Sequence, residues 1–262
     1  MNRHARRAAA STQRTVGTGR PEPNPLVARA AEHHRQVLGD ARKVADDQLA
    51  VDRSPRAVYD AVDAVVRIAD AHMRRGPTDA SSLACRRGCA HCCHRPVGAP
   101  AAVVLRIAAA LRAHASESEF ADMLARVVSL DEKTHGARWS PSERPPQPCA
   151  FLLEGACRIY PIRPFVCRAW NSADEGACRR ALGEDVLEMR FDLFQRTTYA
   201  AAEQGLKAAL EDHRIDSADL ELTAAVRVAL ENRDAGERWL RGERVFAGCE
   251  AKPDPRRRLP LA

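Results

Sequence analysis

Within residues 81–95, SLACRRGCAHCCHRP, four cysteines and two histidines fall inside ten positions: Cys85, Cys89, His91, Cys92, Cys93 and His94. Cysteine thiolate is a soft ligand that selects zinc, copper(I) or iron–sulfur clusters. A second block follows at Cys149, Cys157, Cys167 and Cys178. Each block supplies four thiols, the usual complement of one zinc ion or one iron–sulfur cluster. The candidate metal ligands are therefore Cys85, Cys89, Cys92, Cys93, Cys149, Cys157, Cys167 and Cys178, and no general base or nucleophile stands out as a catalytic residue.

Spacing constrains how the first block can work. On a helix its cysteines would lie at roughly 0°, 40°, −20° and 80°, all on one face. The same helix would hold Cys85 and Cys93 about 12 Å apart along its axis. Zinc–sulfur bonds are about 2.3 Å, so a rigid helix could not bring all four to one ion. Either Gly88 breaks the segment into a turn, or the four thiols serve more than one metal atom, as a multinuclear cluster or as two sites that each draw on both blocks. One ion held by CRRGCAHCC alone is not expected. His91 and His94 are expected to be polar neighbours rather than ligands, because eight thiols already suffice. Cys249 stands apart from both blocks and reads as a spare thiol.

Other uses of the cysteines fit less well. Structural disulfides belong to oxidising compartments and pair off, whereas this chain has nine cysteines and no apolar secretory leader. Buried thiols packed as small hydrophobes would not cluster four in nine residues flanked by Arg and His. The spacing Cys85-x3-Cys89-x2-Cys92 also occurs in radical S-adenosylmethionine enzymes. Their context is an α/β barrel, and strands for one are missing here.

The surrounding sequence must position these residues, and it reads as helix. The 262 residues are 45% apolar, rich in Ala, Arg, Leu and Val, and only 5% aromatic. Ser54-Pro55 is a cap and first-turn pair, followed by Val58, Val62, Val65, Ala69 and Met73 at helical spacing until Gly76-Pro77. Pro100 opens a second helix through Leu105, Ala109 and Leu111. Ser116 and Glu119 form a capping box for a third, with Phe120, Leu124, Val127 and Val128 inward. Two more are expected over about 185–211 (Leu187, Phe191, Phe194, Thr198) and about 218–232 (Leu222, Val226, Leu230). AFLLEGACRIY reads as one small β-hairpin turning at Glu154-Gly155. The expected fold is mainly α: one helical domain over 26–240 with a loop-rich cysteine core at 80–180, a disordered basic leader at 1–25, and a basic C-terminal tail at 241–262.

The net charge of +6 is placed on those ends. Residues 1–20 carry Arg3, Arg6, Arg7, Arg14 and Arg20 with no acid, and the last residues carry Lys252 and Arg256 to Arg258, leaving the body slightly acidic. A nucleic-acid binder carries its positive field on a folded face, so nucleic acid is not the expected partner. No run approaches the ~18 apolar residues of a membrane span. A soluble cytoplasmic protein is expected, with protein partners unspecified.

The pattern Cys85-x3-Cys89-x2-Cys92-Cys93, then Cys149-Ala-Phe-Leu, then CRIYPIRPFVCR from Cys157 to Arg168, resembles the YkgJ-like (CxxCxxCC) cysteine-cluster family, a family described as chelating zinc or iron. The resemblance covers roughly residues 80–180. Ala150 stands where the family often has proline. The resemblance implies metal or cluster binding by the eight cysteines and specifies no reaction.

Residues around the cysteines have physical readings of their own. Pro161 and Pro164 stiffen the segment that joins Cys157 to Cys167. Four thiolates on one Zn²⁺ leave a net −2, which Arg163 and Arg168 could offset. Tyr160 and Trp170 are expected to wall the site from water. The function expected is a binding protein for zinc or an iron–sulfur cluster. The alternatives are an iron–sulfur enzyme, with redox or S-adenosylmethionine chemistry, and a zinc-stabilised interaction module.

Overall fold

The computed structural model describes residues 25–78, 80–86, 88–136, 146–183 and 191–251. The expected leader up to residue 24, residues 137–145 with most of the proline-rich connector WSPSERPPQP (139–148), the start of the helix expected from 185 with its Leu187, and residues 252–262 lie outside the described residues.

The fold is mainly α. Helix α1 (Pro25–Leu49) buries Val37, Ala41, Ala45 and Leu49, one residue per turn on a single face. Helix α2 (Pro55–Arg75) begins as its sequence dictates: the Ser54 hydroxyl accepts the Ala57 N–H at 3.1 Å and Pro55 occupies the first turn. Its inner stripe is Val58, Val62, Val65 and Ala69, with Met73 partly buried behind them. Helix α3 (Ala101–His114) is buried over most of its surface, and α4 (Glu117–Thr134) has the capping box at Ser116 and Glu119. Short α5 (Phe165–Ala169) and α6 (Glu175–Gly183) lead to α7 (Leu193–Asp212), α8 (Leu222–Glu231) and α9 (Ala235–Leu240).

Helices α1, α2 and α7 pack together through small side chains. A Cβ on Gly205 of α7 would stand 2.6 Å from the Leu38 carbonyl oxygen and 2.7 Å from the Ala41 Cβ, so only glycine permits this approach to α1. Arg42 pairs with Asp212 at 2.7 Å across the same contact. Arg106 of α3 binds Asp63 of α2 through both Nε and Nη2, at 2.9–3.0 Å. Arg112 of α3 donates to the last carbonyls of α8, Ala229 at 2.7 Å and Leu230 at 2.9 Å, where the helix dipole favours a cation. Asp131 of α4 is buried and compensated by Arg227 of α8 at 3.0 Å.

Strands are few and short. The hairpin at Glu154-Gly155 forms as β2 (Leu152–Leu153) and β3 (Ala156–Cys157), with both turn residues at positive φ. A second antiparallel pair joins β1 (Gly98–Pro100) to β4 (Asp219–Glu221), the latter occupying the start of the segment expected as helix from 218. Residues 241–251, assigned to the tail from their basic character, are packed on the body. Phe246 and Cys249 are buried, and Glu250 bridges to Leu220 on β4.

Candidate metal centre

The first cysteine block is not a helix. Gly88 takes φ +89°, a left-handed turn that side chains resist, and only His91–His94 winds into a 3₁₀ turn. The two alternatives posed by the spacing are therefore not exclusive, because the segment is broken at Gly88 and its thiols still point to different surroundings.

One side of the segment faces the end of the second block. The Ala84 N–H donates to the Ser172 carbonyl at 2.8 Å, and the Ser172 N–H approaches Cys85 Sγ at 3.3 Å. The Ser172 hydroxyl donates to the Asp174 carbonyl at 3.1 Å, which also accepts the Cys178 N–H at 3.2 Å, so this buried serine links the Cys85 loop to the start of α6. Glu175, in the first turn of α6, accepts from Arg86 at 2.6 Å and meets His91 Nε2 at 3.2 Å. These contacts hold the Cys85–His91 loop over α6.

The other side faces the hairpin. The Cys149 N–H donates to the Cys93 carbonyl at 2.7 Å, the Cys149 carbonyl accepts from Leu152, and Leu152 is paired with Cys157 across β2 and β3. The turn of that hairpin returns to the first block, since a Cβ on Gly155 would lie 3.8 Å from the Gly88 carbonyl oxygen. Cys167 comes from α5, downstream of a 3₁₀ turn at Tyr160–Ile162.

The thiols sense one another. Burial raises the pKa of Cys85, Cys157, Cys167 and Cys178, and pushes Cys149 up to about 11, with neighbouring thiols adding to each effect. Cys92 is raised chiefly by its hydrogen bond to the Cys93 thiol, then by desolvation. Burial and neighbouring thiols thus both disfavour the thiolate form in the metal-free protein. Among the described residues, no three His, Cys, Asp or Glu side chains yet stand in an arrangement that could hold an ion as it is. Thiols are the donor type that zinc and iron–sulfur clusters take.

Residues 84–184 match the model of the CxxCxxCC family, described as "Putative zinc- or iron-chelating domain". No curated protein and no solved structure matches the chain.

The two candidate arginines of the matched region have different surroundings. Arg168 is buried and turned away: it donates to the carbonyls of Pro161 and Arg163 and lies 3.8 Å from Asp70. Arg163 faces the cysteines, where its charge favours thiolate at Cys92, Cys157 and Cys167 against the pull of burial. Its Nε is buried with no hydrogen-bond partner, and its guanidinium sits 3.9 Å over the Tyr160 ring. Tyr160 does not wall the site from water, being 58% exposed; its ring positions Arg163 instead. Trp170 is half-buried between Arg95 and Phe191. His94 Nδ1 donates to the Ala90 carbonyl at 3.1 Å, and His91 Nε2 meets Glu175 at 3.2 Å.

Cys249 is buried beside β4, its carbonyl accepting the Glu221 N–H at 2.7 Å. Burial and the carboxylates of Asp131, Glu221 and Glu250 push its thiol up to about 11, an environment that opposes a thiolate. Sequence reasoning missed Ser172, Glu175 and Arg126. Arg126 of α4 donates to the Ala150 carbonyl at 2.9 Å and borders a groove of about 400 Å³ that opens onto Cys149. None of the three has a spacing signal, because each acts through a contact between distant segments.

Proposed function

We propose that this protein binds zinc or an iron–sulfur cluster through Cys85, Cys89, Cys92, Cys93, Cys149, Cys157, Cys167 and Cys178. The observation that carries the reading is the meeting of the two cysteine blocks, joined by the Cys149–Cys93 backbone hydrogen bond and by Ser172, whose N–H approaches Cys85 and whose hydroxyl shares the Asp174 carbonyl with the Cys178 N–H. Arg163 supplies positive charge toward the thiolates, and the aliphatic core behind Cys149 and Cys157 limits water on that side. The metal, when bound, supplies cross-linking of the loop-rich core or, as a cluster, a redox centre. The reading includes a cytoplasmic location, where thiols remain reduced; among the described residues no helix is long and apolar enough to cross a membrane.

A second reading, an iron–sulfur enzyme, draws support from the groove that reaches Cys149 between Arg126, Ser129 and Lys133. Purification without oxygen, followed by an absorption spectrum and elemental analysis for zinc, iron and labile sulfide, tests both. Stoichiometric zinc in a colourless protein supports the binding protein and removes the enzyme reading. Iron matched by sulfide, with broad absorption near ~400 nm from sulfur-to-iron charge transfer, keeps both. Protein that neither carries nor takes up metal overturns the proposal.

A further inference from the structure

Ser172 meets the first cysteine block with main-chain atoms. Its carbonyl accepts the Ala84 N–H at 2.8 Å, and its N–H approaches Cys85 Sγ at 3.3 Å. What sets these contacts is therefore not the side chain at 172 but whatever fixes the backbone there.

That backbone is fixed from the start of α7. Asn171 is 3% exposed, and its Oδ1 accepts the Asp192 N–H at 2.6 Å while its Nδ2 donates to the Asp192 carbonyl at 3.2 Å. The amide thus grips both main-chain polar groups of one residue, and Nδ2 also donates to the Ala169 carbonyl at 3.2 Å. Asp192 is the cap of α7, its carboxylate accepting the Gln195 N–H at 2.7 Å. Gln195 then donates through Nε2 to the Arg168 carbonyl at 2.7 Å. Between these two ties, the Trp170 ring meets Phe191 edge-on at 5.5 Å and the Arg196 guanidinium at 5.9 Å.

The five residues held in this way, 168–172, are where three cysteine-bearing segments come together. Cys167 directly precedes Arg168 on α5. Ser172 binds the Cys85 loop, and its hydroxyl shares the Asp174 carbonyl with the Cys178 N–H. We propose that Asn171 and Gln195 are positioning residues of the candidate metal centre: they carry the order of α7 into 168–172 and so set where Cys85, Cys167 and Cys178 stand relative to one another. This rests on the metal-binding reading above and adds to it which residues outside the cysteine blocks prepare the ligands. The physical reason is that shifting a buried amide paired to both groups of Asp192 leaves buried donors and acceptors unsatisfied. Ligands held near their places beforehand spare the metal the entropy of ordering them.

The test uses the full chain, stripped of metal without oxygen, with two substitutions. Asn171→Asp keeps the shape and the acceptor but sets a carboxylate against the carbonyls of Ala169 and Asp192. Gln195→Met removes only the donation to Arg168 and keeps the test open should Asn171→Asp fail to fold. Amide exchange of the metal-free chain is followed by NMR, and titration with Co²⁺ alone by thiolate-to-cobalt absorption. In both variants exchange at Ala84 should speed up relative to the amides of α1 and α2, and Co²⁺ affinity should fall about tenfold or more. Urea unfolding distinguishes this from an ordinary packing role. A folded variant that loses stability but keeps the parent Co²⁺ affinity and Ala84 exchange would overturn the proposal and leave metal binding intact. Failure of the unsubstituted chain to take up Co²⁺ would instead overturn the metal-binding reading, and the positioning role with it.

Discussion

At the scale of single residues, the two arginines of the RPFVCR segment show how like residues five positions apart acquire opposite duties. Arg168 is spent on backbone carbonyls and Asp70, while Arg163 keeps a buried Nε aimed away from any protein acceptor and lends its charge to three thiols. Arg163→Gln should therefore weaken metal binding by roughly tenfold or more, the scale of an outer partner of a metal site, with little change in the stability of the metal-free protein. Competition against a chromogenic chelator measures it. Arg168→Gln should do the reverse, lowering metal-free stability by about 1–3 kcal/mol because buried carbonyls lose their donor. Denaturant unfolding of the metal-free forms separates the two, and equal effects of both variants would contradict the assignment.

At the scale of elements, the frame depends on how closely α1, α2 and α7 approach. Two glycines on these helices give opposite expectations. Gly39 on α1 has open space around it, so Gly39→Ala should stabilise by about 0.5–1 kcal/mol through helix propensity. Gly205→Ala gains the same propensity but drives a methyl into the Leu38 and Arg42 backbone, and overpacking of about 1–3 kcal/mol should win. Urea unfolding of both variants checks the sign. The same junction holds His33, whose Nε2 meets the Thr198 hydroxyl at 2.8 Å and whose ring stacks on Phe194 beside His72. Burial, then the His72 charge, lowers the His33 pKa. A depressed folded pKa means stability that is present above the unfolded value of about 6.5 and lost as pH falls through the folded one. Melting temperature should thus drop as pH falls below about 6.5, and His33→Gln should flatten that drop. Asp40, bonded to His72 at 2.9 Å, faces the same junction and should remain in the variant as an internal control.

At the scale of the whole molecule, two kinds of order coexist. The helices bury an Ala- and Val-rich core that needs no metal, whereas residues 84–94 and 149–178 are joined by loops, short turns and a two-residue-strand hairpin. Metal removal should therefore melt the second region before the first. With metal about a thousandfold above its Kd, linkage gives roughly 4 kcal/mol, or about 10 °C in Tm for a chain of this size. Limited proteolysis after chelation should cut within 84–94 or 149–178 first and leave α1, α2 and α7 protected. Uniform cleavage across the chain would show instead that the frame itself depends on the metal.

The sequence by itself determined the capped helices, the hairpin at Glu154-Gly155 and the identity of the candidate ligands. Each of these is a local matter: Ser54, Ser116 and Glu119 satisfy the N–H groups of their own helices, and a run of eight thiols in two blocks has few other chemical uses. Only the tertiary structure decided which segments bring the cysteines together, that Arg163 rather than Arg168 is directed toward them, that Tyr160 holds an arginine instead of excluding water, and that residues 241–251 pack on the body. Those outcomes arise where segments far apart in the chain meet, at Ser172, Glu175 and the Cys93 carbonyl. Spacing along a chain fixes directions within one element, but it carries no information about which second element will cover them.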